Sequence, residues 1–214
     1  MSDIRTSFSY VPFRQGYDTN SWKTISGAPA LAAAGRLVVD VGTGTPGYAI
    51  HYADFLKGDV SFDVNIASAP GGDFRSFGMT SASSYIKFSI SGSLTCQTSD
   101  GATTTVSDPI SWDSSWSGAN VVFRIRWEPG CAKFFINGTQ VCLISGSSVP
   151  HGPLSLFLYD NATTAMTVGD MSVKGTQSFV MNPKTSDSTA PVFTGSLLRS
   201  DTVTITEATT INVV

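Results

Sequence analysis

A chain of 214 residues and 22.6 kDa, with 41% hydrophobic residues, can bury one sizeable domain core. Only 14% of its residues are charged, and glycine, serine and threonine abound, which disfavours long helices and suits a turn-rich β protein. A net charge of −3 and a pI near 5.2 argue against nucleic acid as the main partner, because phosphate binding needs a basic footprint.

No apolar run approaches the roughly 18 residues of a membrane span, so no membrane insertion is expected. The opening MSDIRTSFSYVPFRQG lacks the charged-then-apolar pattern of a secretory signal. The expectation is a chain used without Sec export, or a mature form with a new Met. Residues 1–20 read as an irregular N-terminal segment. Short strand-like runs then recur between Gly, Pro, Asn and Asp punctuation, the spacing of a β-sandwich. Strands are predicted near 22–26, 36–41, 47–52, 59–67, 74–80, 85–91, 94–98 and 103–106. After the loop SDPISWDSSWSGAN they resume near 121–127, 132–136, 139–144, 154–159 and 165–174. Only GAPALAAAG suggests a helix, and its Pro29 and flanking glycines weaken that reading.

The segment VVFRIRWEPGCAKFFINGTQVCLI, residues 121–144, can be registered from its alternation. Asn137-Gly138 is a type I′ hairpin signal that pairs Ile136 with Thr139, Phe134 with Val141 and Ala132 with Leu143. A loop at Glu128–Cys131 then sets Trp127 against Ala132, Ile125 against Phe134 and Phe123 against Ile136. One face is thereby almost wholly apolar, as a core face should be. The other carries Arg124, Arg126, Lys133, Phe135, Gln140 and Cys142.

The three cysteines, Cys96, Cys131 and Cys142, are too few and too scattered for a disulfide framework or a zinc site. Cys131 and Cys142 fall on one face as diagonal neighbours, with Cβ atoms about 7 Å apart. A disulfide wants about 4 Å, so unpaired thiols are expected.

Residues 21–180 make the predicted sandwich domain. Residues 181–191 are polar, Pro-containing and aperiodic, a linker signature. Alternation resumes in residues 192–214, with Val203, Ile205, Ile211 and Val213 on one side of a strand-like arm. About 20 residues cannot form an independent core, so the arm must pack on its own domain or on a neighbour's sheet edge. Used between subunits it would join this chain to further copies or other assembly components.

The ordered series SWKTISG, GRLVVDVG, GDVSFDVNI, FRSFGM, YIKFSI, VVFRIRWEPGCAKFFINGTQV, PHGPLSLFLYD and MTVGDMSVKG resembles the concanavalin A-like lectin/glucanase superfamily, especially its laminin-G-like members. The likeness spans roughly residues 21–175. It implies an all-β, two-sheet antiparallel jelly-roll sandwich, to which the C-terminal arm is an addition. The superfamily holds hydrolases, lectins and structural modules, so function has to be argued from the site.

Retaining glucanases of this superfamily carry paired acids on one strand, as in Glu-x-Asp-x-Glu. Glycoside hydrolysis needs one carboxyl group on each side of the scissile bond. Glutamate is nearly missing here, with Glu128 and Glu207 its two occurrences. The one acidic alternation in a strand, GDVSFDV, gives Asp59 and Asp63, about 13 Å apart at strand rise. That is too wide for the usual pair. His51 and His151 come without a nucleophile elbow. Glycan binding would draw on Trp112 and Trp116, two large rings in a polar loop, with rim plugs as the alternative. No cofactor is required, but calcium is a candidate, held by Asp108, Asp113, Asp160 and Asn161 in loops. From these features the expected function is a non-catalytic structural or adhesion subunit of a virion surface or other extracellular assembly, with cell-surface glycan as a further partner. A stand-alone carbohydrate-binding lectin module is the alternative, and a glycoside hydrolase comes third.

Overall fold

The computed structural model describes residues 7–10, 22–26, 30–31, 36–39, 46–67, 71, 74–162, 164 and 166–178. The linker at 181–191 and the arm residues Val203, Ile205, Ile211 and Val213 lie outside them. In chain order the strands are β1 (Ser7–Tyr10), β2 (Trp22–Ser26), β3 (Ala30–Leu31), β4 (Leu37–Val38), β5 (Gly47–Ile66), β6 (Phe74–Ser81), β7 (Ser84–Ser91), β8 (Ser93–Asp100) and β9 (Thr104–Val106). A 3-10 turn at Ser114–Trp116 precedes β10 (Asn120–Glu128), β11 (Cys131–Ile136), β12 (Thr139–Ser145), β13 (Leu154–Asn161) and β14 (Met166–Ser178). Strand β1 falls inside the stretch expected to be irregular, and β3 inside the one that suggested a helix.

All strand pairings are antiparallel, and they sort into two sheets joined through one long strand. The N-terminal half of β5 pairs with β2 and β13, and the order continues β13-β6-β7-β8-β9. Its C-terminal half pairs with β14 on one side and β10 on the other, leading to β11 and β12. The sequence pattern suggested two strands at 47–52 and 59–67. They are one strand of 20 residues, about 66 Å at ordinary rise. The two sheets pack face to face as the expected jelly-roll sandwich.

Alternation explains the core. Phe77 and Phe88 point inward from the first sheet, while Phe62, Phe123 and Phe134 point inward from the second, all fully buried. Their rings meet at centroid distances of 5.0–5.7 Å, mostly edge-to-face or tilted. Such pairs add about 0.5–1.5 kcal/mol each beyond simple area burial. The β10–β11 register is the predicted one, with Phe123 opposite Ile136, Ile125 opposite Phe134 and Trp127 opposite Ala132.

The β11–β12 register departs from prediction. It begins as expected at Ile136–Thr139, but an irregularity at Phe134/Phe135 then places Phe134 opposite Cys142 and Ala132 opposite Ile144. Val141 is the extra residue, a bulge that turns every later side chain over. Leu143 is thereby 53% exposed, and Ile144 is buried in its place. Cys142 moves from the polar face to the core edge, where its thiol meets that of Cys96 from the opposite sheet. All three thiols are free.

The end of the sandwich between β13 and β14 is tied by a buried ion pair. Arg75 and Asp160 are 1% and 0% exposed, and Arg75 Nε lies 3.2 Å from Asp160 Oδ1, off hydrogen-bond alignment. Asp160 also accepts from the amides of Ala162 and Met166 at 3.1 and 2.6 Å, and Arg75 Nη2 donates to Thr164 Oγ1 at 2.7 Å.

Where β14 crosses β5, Gly58 faces Gly175. A Cβ on Gly58 would come within 2.6 Å of Lys174 O, and one on Gly175 within 2.3 Å of Lys57 O. Gly58→Ala or Gly175→Ala is therefore expected to force the two strands apart. A loss of about 1–3 kcal/mol in denaturant unfolding checks this, as for other overpacked sites.

Candidate saccharide cleft and its relatives

The outward faces of the two sheets differ in kind. On the second sheet, the acids that alternate along β5 are taken up by arginines. Asp59 Oδ1 accepts from Arg124 Nε at 2.6 Å, and Asp63 Oδ2 accepts from Arg36 Nη1 at 2.8 Å. Ser61 and Ser172 hydroxyls close a 2.7 Å contact between them. The acids of β5 on this face are thus satisfied by neighbouring side chains.

The outward face of the first sheet instead carries a cleft of about 230 Å³. Strand alternation builds it row by row. In one row Phe157 of β13, Gly78 of β6 and Lys87 of β7 lie side by side. Gly78 has φ 156°, and a Cβ there would come 2.3 Å from Ile86 O and 2.7 Å from Lys87 Cα. Only glycine fits, so the floor stays bare between an aromatic ring and an ammonium group on strands roughly 10 Å apart. The neighbouring row sets Tyr48, Tyr159 and Ser76 in line, and the next sets Asp54, Ser155, Thr80 and Tyr85.

The aromatic wall is preorganised. Tyr48 meets Phe157 and Tyr159 edge-on at 6.3 and 6.0 Å, and Phe74 meets Tyr159 at 5.3 Å. Burial pushes the Tyr48 phenol above its ordinary value, so it remains a hydrogen-bond donor. Lys87 Nζ sits 4.3 Å from the centroid of Tyr85 and 5.7 Å from that of Phe74. Rings, phenols and short hydroxyls around an open groove are the chemistry that recognises sugars: flat apolar faces for the ring, donors and acceptors for its hydroxyls. Asp54, whose Oδ1 accepts from the Ser155 hydroxyl, is the carboxylate on this face among the described residues. A second hollow of about 480 Å³ opens between β9 and β12 beside Asp108, Cys142 and Leu143, and no aromatic side chain lines it.

The residues singled out from sequence are placed as follows. Trp112 and Trp116 stack edge-on at 5.4 Å, pack partly buried against the core, and Trp112 Nε1 donates to Ser117 Oγ at 3.1 Å. Neither ring belongs to the cleft lining. Asp113 caps the 3-10 turn by accepting from Ser115 N at 2.8 Å, and Asp108 is exposed. Asp160 is buried against Arg75, while Asn161 is exposed. Among the described residues no group of three or more His, Cys, Asp or Glu could hold a metal ion. The four loop residues considered for calcium therefore do not gather into such a cluster. The cleft itself went unrecognised in the sequence, although the outward alternation of YIKFSI and LSLFLYD carried it.

No protein-family model matches the chain, and no curated protein does. Solved structures do. The chain is similar to an apo Crh5 transglycosylase at TM-score 0.64 and 15% identity, covering 79% of this chain and 84% of that one. The laminarinase catalytic domain of Thermotoga maritima matches at TM-score 0.62 and 12% identity, over 78% and 96% of the two chains. The β-glucanase of Bacillus licheniformis matches at TM-score 0.59 and 12% identity, over 81% and 99%. These neighbours are named for polysaccharide chemistry. They overturn the expectation of a non-catalytic virion or fibre subunit, and with it the reading of the chain as no enzyme. That expectation rested on the missing signal peptide, the C-terminal arm and the poor catalytic inventory, and the last of these speaks only to one arrangement of acids.

Lys87 offers a test of the cleft's electrostatics. Desolvation lowers its pKa, so above that lowered value the folded chain has lost a proton that the unfolded chain still holds. Stability then gains a rising component with pH, from the lowered value up to the ordinary lysine range. Comparing pH-dependent urea midpoints of the native chain with Lys87→Met is expected to remove that component in the variant. The fold is that of the concanavalin A-like lectin/glucanase superfamily, with its neighbours on the glucanase side.

Proposed function

We propose that this chain is a carbohydrate-active enzyme that binds a polysaccharide across the aromatic cleft of the first sheet. The observation that carries the reading is the cleft itself: Tyr48, Phe74, Phe157 and Tyr159 around a floor kept bare by Gly78. At about 230 Å³ it is smaller than the usual 300–1,000 Å³ pocket for a whole small ligand. An open groove of that size suits a short length of a chain that continues past both ends. The glucanase and transglycosylase neighbours support the same substrate class.

Glycosidic-bond chemistry needs a proton moved to or from an oxygen at the scissile bond. Asp54, on the same outward face but outside the cleft lining, is the carboxylate assigned that role. It stands in the row that runs through Ser155 to the cleft-lining Thr80, and its hydrogen bond from Ser155 fixes its orientation. The adjacent-acid arrangement of retaining glucanases is not found among the described residues, so Asp54 acts without a carboxylate neighbour on its own strand.

The test is product release from a panel of β-linked polysaccharides, followed by oligosaccharide chromatography. The native chain is expected to yield oligosaccharides or transfer products from at least one of them. Asp54→Asn should lower that rate by roughly a hundredfold or more, the usual size of a general acid–base contribution. Binding should persist in that variant. Native turnover in Asp54→Asn, or no turnover on any polysaccharide, would overturn the reading.

A further inference from the structure

Among the described residues the lining of the cleft holds one full charge, and it is positive. Its lining holds Lys87 among aromatic and hydroxyl side chains, with no carboxylate in the lining. Among the described residues no aspartate or glutamate forms an ion pair with Lys87. Asp59, Asp63 and Asp160 are engaged by Arg124, Arg36 and Arg75. The ammonium is instead held over two aromatic faces, Tyr85 and Phe74.

That placement has a physical cost. A half-buried cation without a counter-ion is disfavoured, and the lowered pKa of Lys87 records the desolvation. The negative faces of the two rings offset part of this. A neutral sugar entering the cleft would strip more water from the ammonium and return only hydroxyl contacts. An anionic sugar would return a charge-assisted hydrogen bond in a site already depleted of water, where such bonds are strongest. The floor helps: Gly78 leaves nothing between Lys87 and the Phe157 ring, so a sugar stacked on that ring can turn its substituent toward the ammonium.

We propose that the cleft is selective for an acidic saccharide, whose carboxylate or sulfate group pairs with Lys87 while its ring lies against the aromatic wall. This rests on the cleft being the saccharide site. The chain as a whole carries −3, so an acidic saccharide would be drawn by a local positive charge rather than by the net charge. The pairing is also directional in pH. It is present while Lys87 is protonated and fades as pH rises through its lowered pKa, earlier than an exposed lysine would allow.

The experiment uses the full chain and oligosaccharides of one length and linkage: cello-oligosaccharide, its counterpart oxidised to the uronate at the primary alcohol, and its counterpart sulfated there. Affinities are read by titration calorimetry for the native protein, Lys87→Met and Tyr48→Ala. The expected result is at least tenfold tighter binding of an anionic member over the neutral one. Lys87→Met should erase that preference, bringing the anionic members to the affinity of the neutral one. Preference for the uronate, the sulfate ester or both identifies the source of the anion, and each supports the proposal. Neutral binding equal to or tighter than anionic binding, with Lys87→Met indifferent, overturns the proposal and leaves the cleft as a neutral-sugar site. If instead no saccharide binds, or Tyr48→Ala binds all three as the native chain does, the cleft reading itself falls and this inference with it. Circular dichroism of both variants separates loss of binding from loss of fold.

Discussion

The sandwich hangs on β5. A strand of 20 residues is two to four times the ordinary length, and it belongs to both sheets. Its first half must satisfy its backbone against β2 and β13, and its second against β14 and β10. That single constraint sets which strands share a face. With β5 in place, β13 and β6 can only add outward on the first sheet, and β10 and β11 on the second. The phenylalanines of both sheets then meet in one ring-on-ring core. The glycine pair at Gly58 and Gly175 lets β14 lie close where β5 passes from one sheet to the other.

The same constraint separates two kinds of surface. Beyond Gly58 the outward side chains of β5 are Asp59, Ser61 and Asp63, all matched by polar groups on β10, β14 or the segment before β4. Before it they are Tyr48, Ile50 and Asp54, facing the aromatic and hydroxyl side chains of β13 and β6. Exposed salt bridges contribute little to stability individually, and here their effect is to leave the second sheet without an unpaired carboxylate between Asp59 and Asp63. The first sheet instead arranges rings, hydroxyls and Lys87 around a glycine floor.

The fold was legible because alternation and turn chemistry agree along most of the chain. The β10–β11 register followed from the loop at Glu128–Cys131 and the spacing of Phe123, Ile125 and Trp127. Three features were not legible. Continuity of β5 was hidden because ADFLKG, between the two predicted strands, has no clear alternation. The bulge at Val141 was hidden because Val-Cys-Leu-Ile is apolar at every position, so either register buries something. The cleft was hidden because an outward Tyr or Phe in a strand looks the same as a core residue until the partner strands are known. Trp112 and Trp116 drew attention as tryptophans in a polar loop, yet their rings lie against each other and the core. Asp59 and Asp63 lie on one face of β5, each engaged by its own arginine. The inference from a missing acid pair to a missing activity reached too far, since solved structures of glucanases and a transglycosylase share the fold.

The most direct measurement is a chemical-shift titration of the isotopically labelled full chain with a soluble β-linked oligosaccharide mixture containing neutral and acidic members. The account predicts that shifts concentrate on Tyr48, Ser76, Gly78, Tyr85, Lys87, Phe157 and Tyr159, across four neighbouring strands of one sheet. Shifts centred on the Trp112–Trp116 loop, or on the Asp59–Asp63 face of the second sheet, would contradict it.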